Sequence, residues 1–240
     1  MNSLRPTNLL FQSAETTNRH FEEVMPSGSW HGHPAFLVGG GPSLRGFDFA
    51  RLRGRRSIGV NIAFYAFDPT IIFSMDTRCL NWILNGTYDR GSFPGLRDKF
   101  KKTAAYKVWL LTYSASLAED IFIVPVHKSY QDGLGSFTLR YRDGLGHGNN
   151  SGYAALNLAV LLGANPIYLL GYDCNRPPDA SHWHAGHPVP QNPKHLDSFI
   201  PRFETAAAAT KKAGIRVVNL NPASALRCFE FGTLEEALND

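Results

Sequence analysis

The 240-residue chain is poor in cysteine. Cys79, Cys174 and Cys228 are odd in number, widely spaced and without a CxxC pair. A disulfide framework and a zinc ribbon are thereby excluded, since both need closely set cysteines. No apolar run approaches the ~18 residues that cross a bilayer, so no membrane partner is expected. Residues 1–13 are polar and interrupted by Pro6, without the basic start and apolar centre of a signal peptide. A cytoplasmic protein is the expectation. Long blocks of one charge are also missing. With 24 Lys and Arg against 20 Asp and Glu, the formal net charge is +4, which suits phosphate-bearing partners and falls short of a nucleic-acid footprint. The densest basic stretch holds Arg45, Arg51, Arg53, Arg55 and Arg56. It reads as a solvated helix end and turn, or as a polyanion contact through Arg53, Arg55 and Arg56.

What is present is a core. Hydrophobic residues make up 43% and charged residues 18%, enough to fold rather than stay disordered. Residues 1–33 read as an N-terminal arm, with a short helix from Glu15 to Val24 broken at Pro26-Ser27-Gly28-Ser29. Residues 34–240 read as a single Rossmann-like catalytic domain. Ala35 to Val38 is a short, wholly apolar run ending in glycines, as a buried parallel strand requires. Ser57 to Val60, Thr70 to Phe73, Val108 to Leu111, Ile121 to Val124, Pro166 to Leu170 and Ile215 to Val218 read as further strands. Ser151 to Leu162 is a helix apolar on nearly every face. Leu196, Phe199, Ile200, Phe203, Ala207 and Thr210 recur at helical spacing before Gly214, and two short helices are expected to close the chain. Gly133 to Gly148 is a glycine-rich loop too long for a plain connection. Alternating strands and helices predict an α/β fold, Rossmann-like, with a mostly parallel sheet, helices on both faces and ligands at the strands' C-terminal edge.

Chemistry-bearing residues gather at those strand ends. Gly39-Gly40-Gly41-Pro42-Ser43-Leu44 follows the first strand. Glycines let a backbone approach a phosphate, Pro42 suits the first turn of a helix, and Ser43 with the turn's N–H groups would face an anion. The pattern is neither GxGxxG nor a Walker A loop. It is equally readable as a tight strand-to-helix turn. Asn61 and Asp76 each stand just past a strand, where an amide can read a base or sugar and a carboxylate can hold a ribose or metal; a cap or turn role is the plainer alternative. Asn149-Asn150-Ser151-Gly152 opens the buried helix, with Ser151 as N-cap, ligand contact or both. Asp173 ends another strand as a catalytic acid or a buried structural one. Ser181-His182-Trp183-His184-Ala185-Gly186-His187 carries three histidines. It invites a general base or acid, or a metal site of His182, His184 and His187, with Asp173 as a further ligand. His147 and His195 stand alone and read as ordinary.

In order, the Gly-rich GPSL turn, Asn61, the SGYxA helix, the GYD strand end, the His-rich loop and the NLNPxSAL segment resemble one superfamily. It comprises the bacterial single-domain sialyltransferases and the relatives grouped as domain-of-unknown-function family 115, many of them phage-encoded. The HWHAGHP loop and Asn219 to Leu226 are most similar to the phage members, and the similarity spans Ala35 to Leu226. The resemblance implies a GT-A-like variant of the Rossmann fold and an inverting glycosyltransferase. The Gly39 to Leu44 turn and Asn61 would hold the donor nucleotide. Ser151 and Gly152 would face the donor sugar or its phosphates. His187 would deprotonate the acceptor hydroxyl without a metal. The family carries Asn where this chain has Gly40, and a tyrosine near the leaving phosphate where it has Asn175. These departures leave the donor open between CMP-sialic acid and another nucleotide sugar, and leave His182 and His184 to donate to the phosphate or bind a divalent metal in the tyrosine's place. The acceptor would be a hydroxymethylated base in DNA or a glycan. Two other activities fit the same superfamily: ATP- and Mg²⁺-dependent pyrophosphokinase chemistry with Asp76 and Asp173 holding the metal, and a non-catalytic nucleotide-binding phage protein.

Overall fold

A computed structural model describes residues 18–111, 117, 120–127, 137–175, 182–189 and 194–240. The first 17 residues of the expected arm, with the start of its helix, and residues 133–136 of the glycine-rich loop lie outside that range. Among the described residues the strands are β1 (Ala35–Val38), β2 (Ser57–Val60), β3 (Ile71–Ser74), β4 (Tyr106–Leu111), β5 (Ile121–Pro125), β6 (Ile167–Leu170), β7 (Val217–Asn219) and β8 (Glu230–Phe231). They form one sheet in the order β5-β4-β3-β2-β1-β6-β7-β8, and every neighbouring pair is parallel. The helices are α1 (Thr77–Leu84), α2 (Leu96–Lys102), α3 (Ser151–Leu161), α4 (Lys194–Asp197), α5 (Ile200–Lys212) and α6 (Leu234–Asn239).

Alternation along each strand divides the core between two faces. Leu37, Ile58, Phe73 and Leu110 pack with α3, α5, Phe21 and Trp30. On the other face, Ile72 and Trp109 meet Leu80 and Ile83 of α1 and Leu96 and Phe100 of α2. Phe36 and Tyr168 join Leu52 and Ala237 of α6. The fold is therefore an α/β Rossmann-like sheet with helices on both faces.

Helix α3 lies on the middle of the sheet, and Tyr153 to Leu161 are all buried. Its one buried side-chain amide, Asn157, is paired at both oxygen and nitrogen. The Asn157 Oδ1 accepts from the Thr138 N–H at 3.1 Å and the Gly146 N–H at 2.8 Å, and Nδ2 donates to the Thr138 carbonyl at 2.7 Å. A buried polar group this well satisfied fastens rather than destabilises. It holds the 137–148 segment, which leads directly into the helix N-terminus.

Residues 18–33 join the same core. Phe21 is fully buried against the rings of Tyr106 and Phe122, with centroids at 5.7 and 5.9 Å. The Ile123 N–H donates to the Arg19 carbonyl at 3.0 Å, so this segment lies along the outer side of β5. Within 18–24 the helix is only a single 3-10 turn, Phe21–Glu23.

Three further elements depart from expectation. Strand β4 begins two residues early because Lys107, only 5% exposed, ion-pairs with Asp120 and lies over the Phe100 ring at 5.0 Å. The helix expected from Leu196 onward is broken into α4 and α5. Pro201 sits in the first turn of α5, where its missing N–H costs nothing but a continuous helix could not pass. In place of two closing helices the chain forms the short strand β8 and then α6, which starts on a Thr233–Glu236 capping box.

Because α3 is buried all round, truncation inside it leaves a cavity that cannot collapse. Leu158→Ala should lower unfolding free energy by about 2–5 kcal/mol in chemical denaturation.

Candidate functional site

Strands β1 and β6 are neighbours, but the chain runs outward from β1 through β2 to β5 and outward from β6 through β7 to β8. The order reverses between them, and the loops leaving their C-terminal ends part to open a crevice. A cleft of 660 Å³ occupies that place, within the ~300–1,000 Å³ of small-molecule sites. Gly39 to Pro42, Asn61, Asp76, Asn150, Ser151, Gly152, Asp173, His182, His184 and His187 all line it. Sequence positions more than a hundred residues apart are thus gathered at one sheet edge.

The glycine turn has a tenant already. Asp173, 3% exposed, accepts from the Ser43 N–H at 2.7 Å, the Ser43 hydroxyl at 2.6 Å and the Asn221 amide at 2.7 Å. A Cβ on Gly41 would stand 2.5 Å from the Asp173 Cγ, and one on Gly39 would stand 2.7 Å from the Gly171 carbonyl oxygen. The glycines are needed so that β6's exit can press against the turn. The anion received by Ser43 is the chain's own carboxylate, so neither its N–H nor its hydroxyl is left for a phosphate. Gly39 and Gly41 donate to the carbonyls of Leu170 and Gly171, both at 2.8 Å. Among the described residues, the Gly40 N–H alone of these amides has no acceptor. The helix that follows is one 3-10 turn, Pro42–Leu44, too short for a useful dipole. Asp173 therefore locks the turn to the strand end. Ser224 completes the lock, its hydroxyl donating to the Tyr172 carbonyl at 2.7 Å.

Asn61 leaves β2 with φ +56. Its Oδ1 accepts from the buried Ser74 hydroxyl at 2.7 Å, while its Nδ2 has no acceptor among the described residues. Asp76 is the N-cap of α1, accepting from the Arg78 N–H at 2.8 Å, and its carboxylate also pairs with the Arg78 guanidinium at 3.1 Å. The cap of α3 is Asn150, whose Oδ1 accepts from the Tyr153 N–H at 2.9 Å. Ser151, expected as cap, is the first helical residue instead, and its hydroxyl accepts from the Met75 N–H at 3.3 Å. Asn61, Asn149 and Cys174 are the non-glycine residues with left-handed φ among those described, and all three line the cleft. Such conformations cost on the order of 1–3 kcal/mol each and persist where surrounding structure enforces them.

The three loop histidines stack. The His182 ring lies 5.1 Å from both the His184 and His187 rings, at interplanar angles of 22° and 13°. Their in-plane lone pairs run nearly side by side rather than converging, which does not suit a tetrahedral ion. Among the described residues no group of three His, Cys, Asp or Glu could hold a metal. The His184 ring is wedged against Phe93 and Trp183, with centroids at 4.9 Å in each case. Burial first, then its histidine neighbours, push its pKa down to about 3. The His187 Nδ1 lies 2.6 Å from the Val189 carbonyl and 3.3 Å from the Val189 N–H, which ties the ring to its own loop. The Trp82 ring meets His187 edge-on at 5.8 Å.

Arg53, Arg55 and Arg56 lie elsewhere. They precede β2, at the N-terminal edge of the sheet, a strand length of roughly 13 Å from the cleft side. Arg55 donates to the Leu238 carbonyl at 2.6 Å and Arg51 pairs with Glu235 at 3.0 Å. Two of the five arginines of the basic cluster are thus occupied in holding α6. Conversely, Arg78, Trp82 and Tyr88 line the cleft without having been singled out from sequence. The i, i+4 spacing of Arg78 and Trp82 after the capping Asp76 was the available signal. Asn221 and Ser224 belong to the NLNPxSAL segment, to which sequence gave no individual roles.

No known protein-family model matches this chain, and none of the curated proteins does. Among solved structures, it is similar to the sialyltransferase CstII from Campylobacter jejuni in complex with a substrate analogue, cytidine-5'-monophosphate. Identity is 17%, 88% of each chain is covered and the TM-score is 0.48.

Two outcomes are expected. Asp173→Ala leaves the Ser43 N–H and the Asn221 amide unpaired and should cost about 3 kcal/mol or more in urea denaturation. An unfolded histidine titrates near ~6.5, so between that pH and about 3 the unfolded chain takes up a proton that folded His184 refuses. Stability should be full above pH ~6.5 and fall as the solution is acidified. His147, held down by burial and by Arg202, acts in the same direction. His184→Phe should flatten the acid limb of a stability-against-pH profile, and an unchanged limb would exclude His184 as a source of the loss.

Proposed function

We propose that this chain is a glycosyltransferase that moves a sugar from a nucleotide-sugar donor to an acceptor hydroxyl by inverting displacement. The observation that carries the reading is the place of His187: its imidazole lines a nucleotide-sized crevice together with the glycine turn, Asn61 and the first turn of α3. The order of the motifs from the glycine turn to Asn219 to Leu226 supports it.

In the proposed step the acceptor oxygen forms the new bond to the anomeric carbon as its proton passes to His187 Nε2. The bond from the anomeric carbon to the phosphate oxygen breaks, and the nucleotide leaves with the electron pair. General-base catalysis of this kind contributes typically ~10²–10⁴ in rate. The Asn61 Nδ2 and the first-turn amides of α3, at Ser151 and Gly152, supply neutral donors for the nucleotide and its phosphates. Asp173 positions the glycine turn and stays out of the chemistry. His184, wedged and held neutral, seats the loop.

Magnesium-dependent diphosphate transfer is served less well by these residues, since the Asp76 carboxylate caps α1 and pairs with Arg78 while that of Asp173 is filled by three donors. A hydroxymethylated base in DNA is not favoured as acceptor, because the arginines meant to track its phosphates stand at the opposite sheet edge and partly hold α6.

Thermal stability against a panel of nucleotide sugars identifies the donor, since a ligand at ~100 times its Kd adds about 2.7 kcal/mol. With that donor, His187→Ala should lower kcat by ~10²–10⁴ while donor affinity stays near that of the unaltered enzyme. Wild-type turnover in the variant, or retention of anomeric configuration in the product, would overturn the reading.

A further inference from the structure

We propose that Arg78 sets the acceptor specificity of this cleft by reading a carboxylate on the acceptor, an inference that rests on the transferase reading. Among the described residues that line the cleft, Arg78 is the one lysine or arginine. Its guanidinium is held from two sides. Nε donates to the Asp76 Oδ1 at 3.2 Å and Nη2 to the Asp76 Oδ2 at 3.1 Å. The Trp82 ring, one turn further along α1, has its centroid 5.9 Å from the Arg78 Cζ, within cation–π range. The side chain is 71% exposed, yet its head group is fixed in plane and direction.

A guanidinium carries several N–H groups in a rigid fork, and Asp76 takes only the Nε–Nη2 side of it. The Nη1–Nη2 edge meets no acceptor among the described residues. That edge matches the two oxygens of a carboxylate. Binding there costs little ordering, because Asp76 and Trp82 have already oriented the group. Trp82 also shows which substrate brings the acid. The His187 ring meets the Trp82 ring edge-on at 5.8 Å, so Arg78 and His187 flank one indole. A general base must reach the hydroxyl that it deprotonates, which places the acceptor beside Trp82. The glycine turn leaves β1, two strands from β3 and Arg78, or roughly 10 Å across the sheet. The acceptor is accordingly an acidic sugar, with its carboxylate on Arg78 and its reacting hydroxyl at His187.

Sugars that differ in the acid alone provide the test. Dissociation constants of glucuronate and glucose, and of galacturonate and galactose, are measured by NMR titration for wild type, R78Q and R78K. Those of CMP and UDP are measured by calorimetry. In wild type at least one acid should bind about tenfold more tightly than its neutral partner. R78Q should abolish that preference and leave the neutral sugars and both nucleotides within about twofold. R78K keeps the charge without the fork and should recover only part of the preference. Since the side chain is exposed, R78Q should unfold at nearly the wild-type temperature, which separates a lost contact from a lost fold. The proposal is overturned if wild type prefers neither acid, if R78Q keeps the preference, or if acid and neutral sugar weaken together. Weaker nucleotide binding in R78Q would assign Arg78 to the donor phosphate and overturn it as well. With the donor bound the preference should persist; its loss would assign the carboxylate to the transferred sugar, against the proposal. An Arg78-dependent preference in a protein that transfers no sugar refutes the transferase reading and leaves the acid site standing. Transfer to acidic and neutral acceptors alike does the reverse.

Discussion

A buried carboxylate must be met by donors or it will not stay buried, and that requirement at Asp173 organises the whole C-terminal edge of the sheet. The donors come from Ser43 at the start of the chain's first loop and from Asn221 near its end. Three segments that share no local contact in sequence are thereby brought to one point. The glycines at 39 and 41 follow from this as a steric condition. So does the return of the chain after β7, where the Ala225 N–H and the Ser224 hydroxyl donate to carbonyls of residues 172–173.

The cleft that results is sparing with charge. Its acids are spent, its guanidinium at Arg78 is paired, and its histidines are packed ring on ring. The uncharged donors left at its rim among the described residues are amides held in place beforehand, at Gly40, Asn61 and the first turn of α3. That preorganisation is visible in the backbone too, in the left-handed turns at Asn61, Asn149 and Cys174. Fixed dipoles of this kind cost little reorganisation during reaction.

The sheet was readable from sequence because its strands are short apolar runs ending in Gly, Asn or Ser, and because burial on both faces removes any alternation that could mislead. Strand β8 escaped because two exposed residues carry no pattern, and the start of β4 because a buried lysine reads as a polar break until Asp120 is placed beside it. The gathering of the glycine turn, Asn61, the α3 N-terminus and the His loop at one edge was also legible, since a parallel sheet puts all its strand ends there. The use each residue makes of its hydrogen bonds was not. Ser43 as donor to Asp173 and Asn157 as fastener depend on partners 130 and 19 residues away, which no local pattern selects. Asn150 rather than Ser151 as cap is a choice between two adjacent residues that both suit the role. The stacking of three imidazoles is likewise a property of the folded loop, where spacing alone suits metal ligation equally well.

The segment along β5 bears on how copies of the chain meet in solution. An open strand edge is a template on which another molecule can extend the sheet. Here one margin is overlaid near Ile123 by residues 18–20 and ends in Pro125, which has no N–H to offer. The other margin is the two residues of β8. Among the described residues, self-association by strand addition finds little unpaired ladder on either side.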